Sequence, residues 1–268
     1  MMVGSFELPT RFSGFEGVAY GGYAAGRIAG LVEVDEVAGV AVSLRSPPPV
    51  GRPLRYESDG DRVVVWSGET LVAEASAWSG ALEVPAPPSL AEAVDAEGGY
   101  PGHHHHAFPR CFGCGPERGY DDGLRLFTGP VGNRHMVAAS WCPPTWTGGD
   151  SGPVAEPLVW SALDCPGAWA HLVFAPSPGR HVTVRMAARL VAPVQTLAPH
   201  VVVGWPISAH GRKRLVGSAI FDVSGRLRAY SEALWLAISR PNTIQGGSNE
   251  KDELSGVLKP GRRVRRRL

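Results

Sequence analysis

The sequence predicts an α+β protein made of two similar units in tandem, and three observations lead to this prediction. Residues 1–83 and 111–240 repeat one order of patterns, a helical phrase followed by strand-like segments. Glycine and proline are abundant, at 34 and 24 of 268 residues, without the glycine period of a collagen. Hydrophobic residues make up 44% of the chain, which is enough for a packed core. One helix followed by antiparallel strands indicates a helix packed on a curved sheet.

The first unit begins with a helical phrase of small and apolar residues, GGYAAGRIAGLVEV, at residues 21–34. A strand follows, AVSLRSPPPV, which ends at Val50. The unit closes with a hairpin, RVVVWSGETLVAEASAW, in which the turn residue Gly68 precedes Trp78 by ten residues.

The second unit repeats this order. Its helical phrase is AEPLVWSALDCPGAWAHLV, at residues 155–173, and its first long strand, HVTVRMAARLVAPV, alternates with Val182, Val184 and Met186 on one face. In the closing hairpin Gly225 again precedes a tryptophan, Trp235, by ten residues. A longer hairpin, VVVGWPISAHGRKRLVG, is the insertion that distinguishes this unit.

Two further segments differ in composition from the units. Residues 84–110 are rich in proline, glycine and histidine, with one short helical phrase, SLAEAVDA, and are predicted to be a linker. Residues 241–268 are predicted to be a disordered basic tail, since the last twelve residues hold six of the 26 basic residues and no acid. A solubilising role is expected for it, with contact to nucleic acid or an anionic surface as the alternative. The rest of the chain is mildly acidic, so no nucleic-acid partner is expected.

The composition also bears on compartment and membrane partners. No apolar run approaches the roughly 18 residues of a membrane span, and the N-terminus lacks the pattern of a secretory signal. Four cysteines in a chain of this length do not form a disulfide framework. We therefore expect a cytoplasmic protein with reduced thiols and no membrane partner.

Three phrases resemble the hotdog-fold acyl-CoA thioesterase superfamily. CFGCGPERGYDDGLRL, residues 111–126, is similar to the entry segment of thioesterases of the phenylacetyl-CoA type. VWSALDCPGAWA, residues 159–170, is similar to the central hotdog helix, which carries an acidic residue in that group, and FSGFEGVAYGGYAAG, residues 12–26, is similar to its Gly-Gly helix entry. The resemblance implies a double hotdog, two tandem units each with a central helix wrapped by an antiparallel sheet, the sheets being paired edge to edge.

The chain departs from the superfamily pattern in each unit. The usual histidine before the Gly-Gly pair is replaced by Tyr20, and the second helix lacks the glycines. Counting eight residues from Gly21 reaches Ala29, whereas counting eight from Glu156 reaches Asp164. The first unit thus keeps the glycines of a site, and the second keeps the acid.

The resemblance implies hydrolysis of an acyl-CoA or carrier-bound acyl thioester at the seam between the units. Backbone N–H groups of Gly21 and Gly22, at a helix N-terminus, would stabilise the oxyanion. Asp164 would deprotonate a water or attack the thioester, with Glu156 as a second candidate base. Coenzyme A enters as part of the substrate, no other cofactor is expected, and a homodimer is compatible with the fold. The alternative is a catalytically silent acyl-binding or biosynthetic auxiliary protein.

Several residues are candidates for substrate binding, each with a structural alternative. Aromatic residues on the helices belong either to the core or to an acyl tunnel; they are Tyr23, Trp160 and Trp169. Ser161 and His171 share a face with Asp164 if the helix continues, but Pro166 allows Asp164 to be the N-cap of a new helix instead. A basic cluster either binds the phosphates of coenzyme A or forms a solvated turn; it consists of Arg212, Lys213 and Arg214.

Two other clusters are given structural interpretations. His103–His106 precede the pair Cys111 and Cys114, and we predict a tight turn with no metal site, zinc or a redox pair being the alternatives. Residues 149–153, GDSGP, resemble the nucleophile loop of trypsin-like proteases. Because the chain has no matching histidine motif upstream, we predict a helix-entry loop there.

Overall fold

The structure, a computed structural model, describes residues 1–35, 38–149 and 152–238. Asp150 and Ser151 of the protease-like phrase and the predicted tail at 241–268 lie outside these residues. Within the described ranges one antiparallel sheet has eleven strands, and a two-stranded sheet lies beside it.

The first half of the main sheet comes from residues 2–78. Its strands are short, six to nine residues each. The elements in chain order are β1 (Met2–Glu7), the small pair β2 (Ser13–Phe15) and β3 (Val18–Ala19), α1 (Gly21–Ala29), β4 (Gly39–Leu44), β5 (Pro53–Ser58), β6 (Arg62–Ser67) and β7 (Thr70–Trp78).

The second half has the longer strands. Its elements are α2 (Leu90–Glu97), β8 (Gly129–Pro130), β9 (Val137–Trp141), α3 (Glu156–Ala162), α4 (Cys165–Phe174), β10 (Arg180–Leu190), β11 (His200–His210), β12 (Lys213–Asp222) and β13 (Leu227–Ile238). The longer hairpin predicted from the sequence is β11–β12, whose strands have 11 and 10 residues against six each in β5 and β6.

Both halves have the same topology. The strand order is β1-β5-β6-β7-β4-β10-β13-β12-β11-β9-β8, so the five strands of the first half are mirrored in five of the second, which adds the two-residue β8 at its edge. The halves meet where β4 pairs with β10, with Ser43 opposite Arg185 and Val40 opposite Ala188. The expectation of an α+β double hotdog with its sheets paired edge to edge is confirmed.

Glycines let the central helices of the two halves approach closely. A Cβ atom on Gly26 of α1 would lie 2.7 Å from the Cα of Pro157 and 2.8 Å from the Cβ of Trp160. Any side chain at Gly26 would push α1 away from α3, so the small residues of the first helical phrase serve this contact.

The second helical phrase forms two helices rather than one. Leu163 ends α3, Asp164 precedes α4, and Pro166 lies in the first turn of α4. Proline lacks an N–H and is tolerated in a first turn, where that donor has no partner within the helix. The break falls at Asp164, the residue for which the resemblance implies a catalytic role.

The segment at 84–110 is packed against the second half. Ser89 and Glu92 form a capping box that starts α2, and Ala93 and Ala96 are buried. The Glu97 carboxylate accepts hydrogen bonds from the backbone N–H and the hydroxyl of Ser140, at 2.8 and 2.6 Å. The predicted linker therefore adds a helix that packs against β9, the strand next to the edge strand β8. None of the described helices is long and apolar enough to span a lipid bilayer.

Candidate active site

A cavity of about 600 Å³ lies at the seam between the halves. This volume is in the range of small-molecule sites, about 300–1,000 Å³. Its lining is largely apolar and aromatic, and its polar part consists of one acid, three hydroxyl-bearing residues, three cysteines and the four histidines His104, His105, His106 and His181. The apolar lining includes Phe15, Val18, Leu44, Phe108, Trp169, Leu172, Val182 and Trp235.

Asp164 lies on the wall of this cavity and connects the two halves. Only 1% of the residue is exposed. It precedes α4 but does not cap it through its side chain. Instead, Oδ2 accepts the N–H of Gly22 at 2.7 Å and Oδ1 accepts the hydroxyl of Thr183 at 2.7 Å. The carboxylate thus stabilises the N-terminus of α1 from across the seam.

The environment of Asp164 shifts its protonation equilibrium. Burial raises the pKa of the Asp164 carboxyl to about 7, against the opposing effect of the hydrogen bonds from Thr183 and Gly22. A carboxyl with such a pKa exchanges protons near neutrality.

Thr183 reaches Asp164 from a β-bulge in β10. In the pairing of β10 with β13, Thr183 is opposite Trp235 and Arg185 is opposite Leu234, so Val184 is an extra residue. The alternation predicted for this strand is interrupted there, and His181, Val182, Thr183 and Val184 all line the cavity. The bulge is a feature that the apolar pattern did not predict.

Tyr20 occupies the position where the superfamily carries a histidine. Its hydroxyl donates to the backbone carbonyl of Ser161 at 3.0 Å, lies 3.0 Å from Sγ of Cys165 and accepts the Cys165 N–H at 3.3 Å. Burial raises the pKa of Tyr20 well above its usual value, so the phenol remains neutral. Tyr20 and Thr183 are site residues that the sequence analysis did not nominate.

The two glycines at the start of α1 have different partners. Gly22 donates its N–H to Asp164, whereas the N–H of Gly21 makes no hydrogen bond among the described residues. Gly21 lines the cavity, and a Cβ atom there would lie 3.0 Å from Cβ of Thr183 and 3.2 Å from Oδ2 of Asp164. Of the two amides predicted to stabilise the oxyanion, that of Gly22 is therefore already hydrogen-bonded to Asp164, and that of Gly21 is not.

Other nominated residues lie away from the cavity. Glu156 is exposed at the start of α3. Tyr23 stacks on Phe12 with ring centroids 3.7 Å apart, and the Ser161 hydroxyl donates to the carbonyl of Pro157 at 2.7 Å. Trp160 packs against Gly26 of α1. These side chains serve helix packing, whereas Trp169 of α4 does line the cavity.

The basic cluster forms part of the β11–β12 turn. Arg212 and Lys213 are exposed there, and neither lines the cavity. Arg214 is buried, donating from Nε to Nε2 of His171 at 2.5 Å and from its guanidinium to the carbonyl of Gly211. Burial and the Arg214 cation lower the pKa of His171 to about 4. His171 therefore contacts Arg214, whereas the partners of the Asp164 carboxylate are Gly22 and Thr183.

Comparisons with solved structures identify the fold. A hot-dog-fold protein of unknown function from Alicyclobacillus acidocaldarius is 11% identical, with a TM-score of 0.57 over 89% of this chain and 94% of that chain. A putative thioesterase from Novosphingobium aromaticivorans is 12% identical, with a TM-score of 0.58 over 88% and 96%. A TesB protein from Mycobacterium avium subspecies paratuberculosis is 16% identical, with a TM-score of 0.54 over 88% and 92%.

These likenesses show that the chain has the hotdog fold found in thioesterase-superfamily structures. At such low identity they bear on the fold alone. No family model matches the chain, and no curated protein does.

Proposed function

We propose that this protein hydrolyses an acyl thioester, such as an acyl-CoA, in the cavity at the seam. The observation that carries the proposal is the position of Asp164, buried on the cavity wall and hydrogen-bonded to Gly22 of one half and Thr183 of the other. A carboxylate on the wall of a cavity with a largely apolar lining can act as the base or the nucleophile in thioester hydrolysis.

The chemistry follows from the groups around the carboxylate. Asp164 removes a proton from a water molecule, the resulting hydroxide attacks the thioester carbonyl, and the C–S bond breaks. The departing thiolate takes the proton back, which leaves a carboxylic acid and a free thiol. Gly21 lines the cavity and its N–H makes no hydrogen bond among the described residues, so it is the donor for the developing oxyanion, a role worth about 3 kcal/mol in comparable sites.

The lining defines the substrate class. Apolar and aromatic side chains surround the acid, among them Trp169, Trp235 and Leu172, which suits an acyl group. A cavity of about 600 Å³ is large enough for that group and the thioester. Coenzyme A or a carrier protein presents the acyl group to it.

One observation favours a second candidate, a catalytically silent acyl-binding protein. Both Asp164 oxygens already accept hydrogen bonds, so the carboxylate also serves as a cap for α1. In a silent protein that would be its entire role.

A thiol-release assay with aromatic and aliphatic acyl-CoAs separates these candidates. We expect turnover by the native protein, and a loss of about 100-fold or more in Asp164→Asn, since general-base catalysis contributes that much. Asparagine keeps an oxygen for the Gly22 N–H, so the variant should unfold at nearly the same urea concentration as the native protein. Asp95→Asn, in the exposed part of α2, is the matched control and should retain full activity.

The outcomes are distinct. Binding of acyl-CoA without turnover would establish the silent protein and refute hydrolysis. Equal turnover in Asp164→Asn would refute the role of this acid. After a single turnover in ¹⁸O-labelled water, label in the Asp164 carboxylate would show direct attack, in which Asp164 displaces the thiolate to form a mixed anhydride and water then cleaves the anhydride at the aspartyl carbonyl. General-base catalysis places the label in the product acid only.

A further inference from the structure

Three cysteines from two separate segments of the chain lie together on the cavity wall. Cys111 and Cys114 belong to the Cys-Phe-Gly-Cys phrase, and Cys165 is the first residue of α4. All three are buried, and their sulfur atoms lie within 4.8 Å of one another. The sulfur of Cys165 is 3.1 Å from that of Cys114 and 3.9 Å from that of Cys111.

The separation of 3.9 Å matches that of ligands on a thiolate-bound metal ion, and the separation of 3.1 Å is shorter. In a tetrahedral zinc site with Zn–S bonds of about 2.3 Å, neighbouring sulfurs are about 3.8 Å apart. A Cys-x₂-Cys pair completed by a remote cysteine is also a usual ligand spacing for zinc.

The backbone around the sulfurs is held in place by other groups. The N–H of Gly115 donates to the carbonyl of Cys111 at 2.9 Å, and the hydroxyl of Tyr100 donates to the carbonyl of Cys114 at 2.7 Å. The Cys165 N–H donates to Tyr20. A Cβ atom on Gly113 would lie 2.4 Å from the Tyr20 hydroxyl, which explains the glycine between the two cysteines.

His106, from the histidine run at residues 103–106, lies beside the cysteine cluster. Its Nδ1 accepts the N–H of Phe108 at 3.0 Å, so in the neutral ring the proton is on Nε2. Nε2 lies 3.3 Å from the sulfur of Cys114 and donates to it. Such a donor orients and stabilises a metal-bound thiolate without being a ligand itself.

We propose that Cys111, Cys114 and Cys165 form a binding site for a Zn²⁺ ion, with its fourth position facing the cavity. Each of the three thiols loses its proton on coordination, so binding releases protons to the solvent and leaves one net negative charge on the three thiolates and the metal. Because all three residues line the cavity, a water molecule or a ligand atom completes the tetrahedron.

The proposal is independent of the thioesterase reaction, because metal binding is measured without substrate. The full chain is purified in reductant, stripped with a chelator and titrated with Zn²⁺ against a chromophoric chelator. We expect about one Zn²⁺ per chain. Titration with Co²⁺ should give the near-ultraviolet charge-transfer band of thiolate ligands together with the visible bands of a tetrahedral ion.

Single substitutions assign the ligands. Cys111→Ser, Cys114→Ser and Cys165→Ser should each weaken Zn²⁺ binding and reduce the charge-transfer band. Cys142→Ser removes the exposed fourth cysteine and is the matched control, with binding equal to that of the native protein.

Two results would overturn the proposal. One is a folded native protein that takes up no Zn²⁺ in competition with the chelator. The other is Cys165→Ser with unchanged affinity and an unchanged cobalt spectrum. Should the serine variants fail to fold, the intensity of the native cobalt band still counts the thiolates, and an intensity matching fewer than three contradicts the site.

Discussion

The two halves share one strand order but contribute different groups at the seam. The first half begins its central helix with Gly21 and Gly22, and the second begins α3 with the exposed Glu156. Eight residues further on, the first half has the buried Ala29 and the second has Asp164. The glycines of the first half and Asp164 of the second half form a connected cluster on the cavity. The residues at the corresponding positions, Glu156 and Ala29, are an exposed acid and a buried alanine.

The difference shows why neither half could carry the site alone. Gly22 can donate to Asp164 only because it has no side chain, since a Cβ atom there would lie 2.7 Å from Cβ of Asp164. Asp164 can reach across only because the helix breaks there. The close approach needs a glycine at the start of α1, and the position of Asp164 depends on the break between α3 and α4. The first half provides the glycine and the second half provides the break.

The largest effect is expected from a substitution that adds a side chain where α1 contacts the second half. In Gly22→Ala the new Cβ atom also meets the carbonyl oxygen of Trp160 at 2.9 Å. We expect a loss of about 1–3 kcal/mol in the free energy of unfolding, measured with urea, and loss of turnover. Gly30→Ala is the control, because its Cβ atom meets nothing nearer than 3.8 Å and its φ is −67°. Equal losses in the two variants would contradict the close-approach argument.

A smaller effect is expected at the bulge in the second half. Thr183→Val keeps the shape but removes the hydroxyl that donates to Asp164. Hydrogen bonds to charged groups contribute about 1.5–3 kcal/mol, so turnover should fall by at least about tenfold. Thr183→Ser retains the hydroxyl and should recover most of the activity; an inactive serine variant would show that the hydroxyl is not the relevant group.

The loss of folding stability at acid pH should arise mainly in the second half. Residues 1–83 contain no histidine, whereas His171 is buried beside Arg214 with its pKa lowered to about 4. Folding therefore disfavours protonation of His171, so its contribution to stability is present above about pH 6.5 and is lost as the pH falls towards 4. The native protein should lose more stability over this window than His171→Gln, measured by urea unfolding. The exposed His210→Gln should follow the native curve, and identical curves for all three would refute the role of His171.

The smallest effect is expected at Glu156, the counterpart of Gly21. Its side chain is exposed and does not line the cavity. Glu156→Gln should change stability by less than about 0.5 kcal/mol and leave turnover unchanged. A large loss of turnover would restore Glu156 as a base and undermine the asymmetry between the halves.

Local patterns in the sequence determined the order of the elements and their turns. Gly68 and Gly225 have positive φ angles of 58° and 79°, at the hairpin turns predicted from them. Helical phrases and strand-like segments predicted both helical regions and the long hairpins because these signals repeat within a few residues. The strands β1, β5, β8 and β9 were not predicted. The division of glycines and acid between the units was predicted by comparing each helical phrase with the pattern of the hotdog superfamily.

The tertiary structure alone decided which groups meet. Asp164 and Gly22 are 142 residues apart, Cys114 and Cys165 are 51 apart, and the bulge at Thr183 depends on how β10 pairs with β13. Such contacts come from the packing of two sheets and their helices, which no local period encodes. The sequence therefore supplied the components of the site, and the folding of one half against the other brought them together.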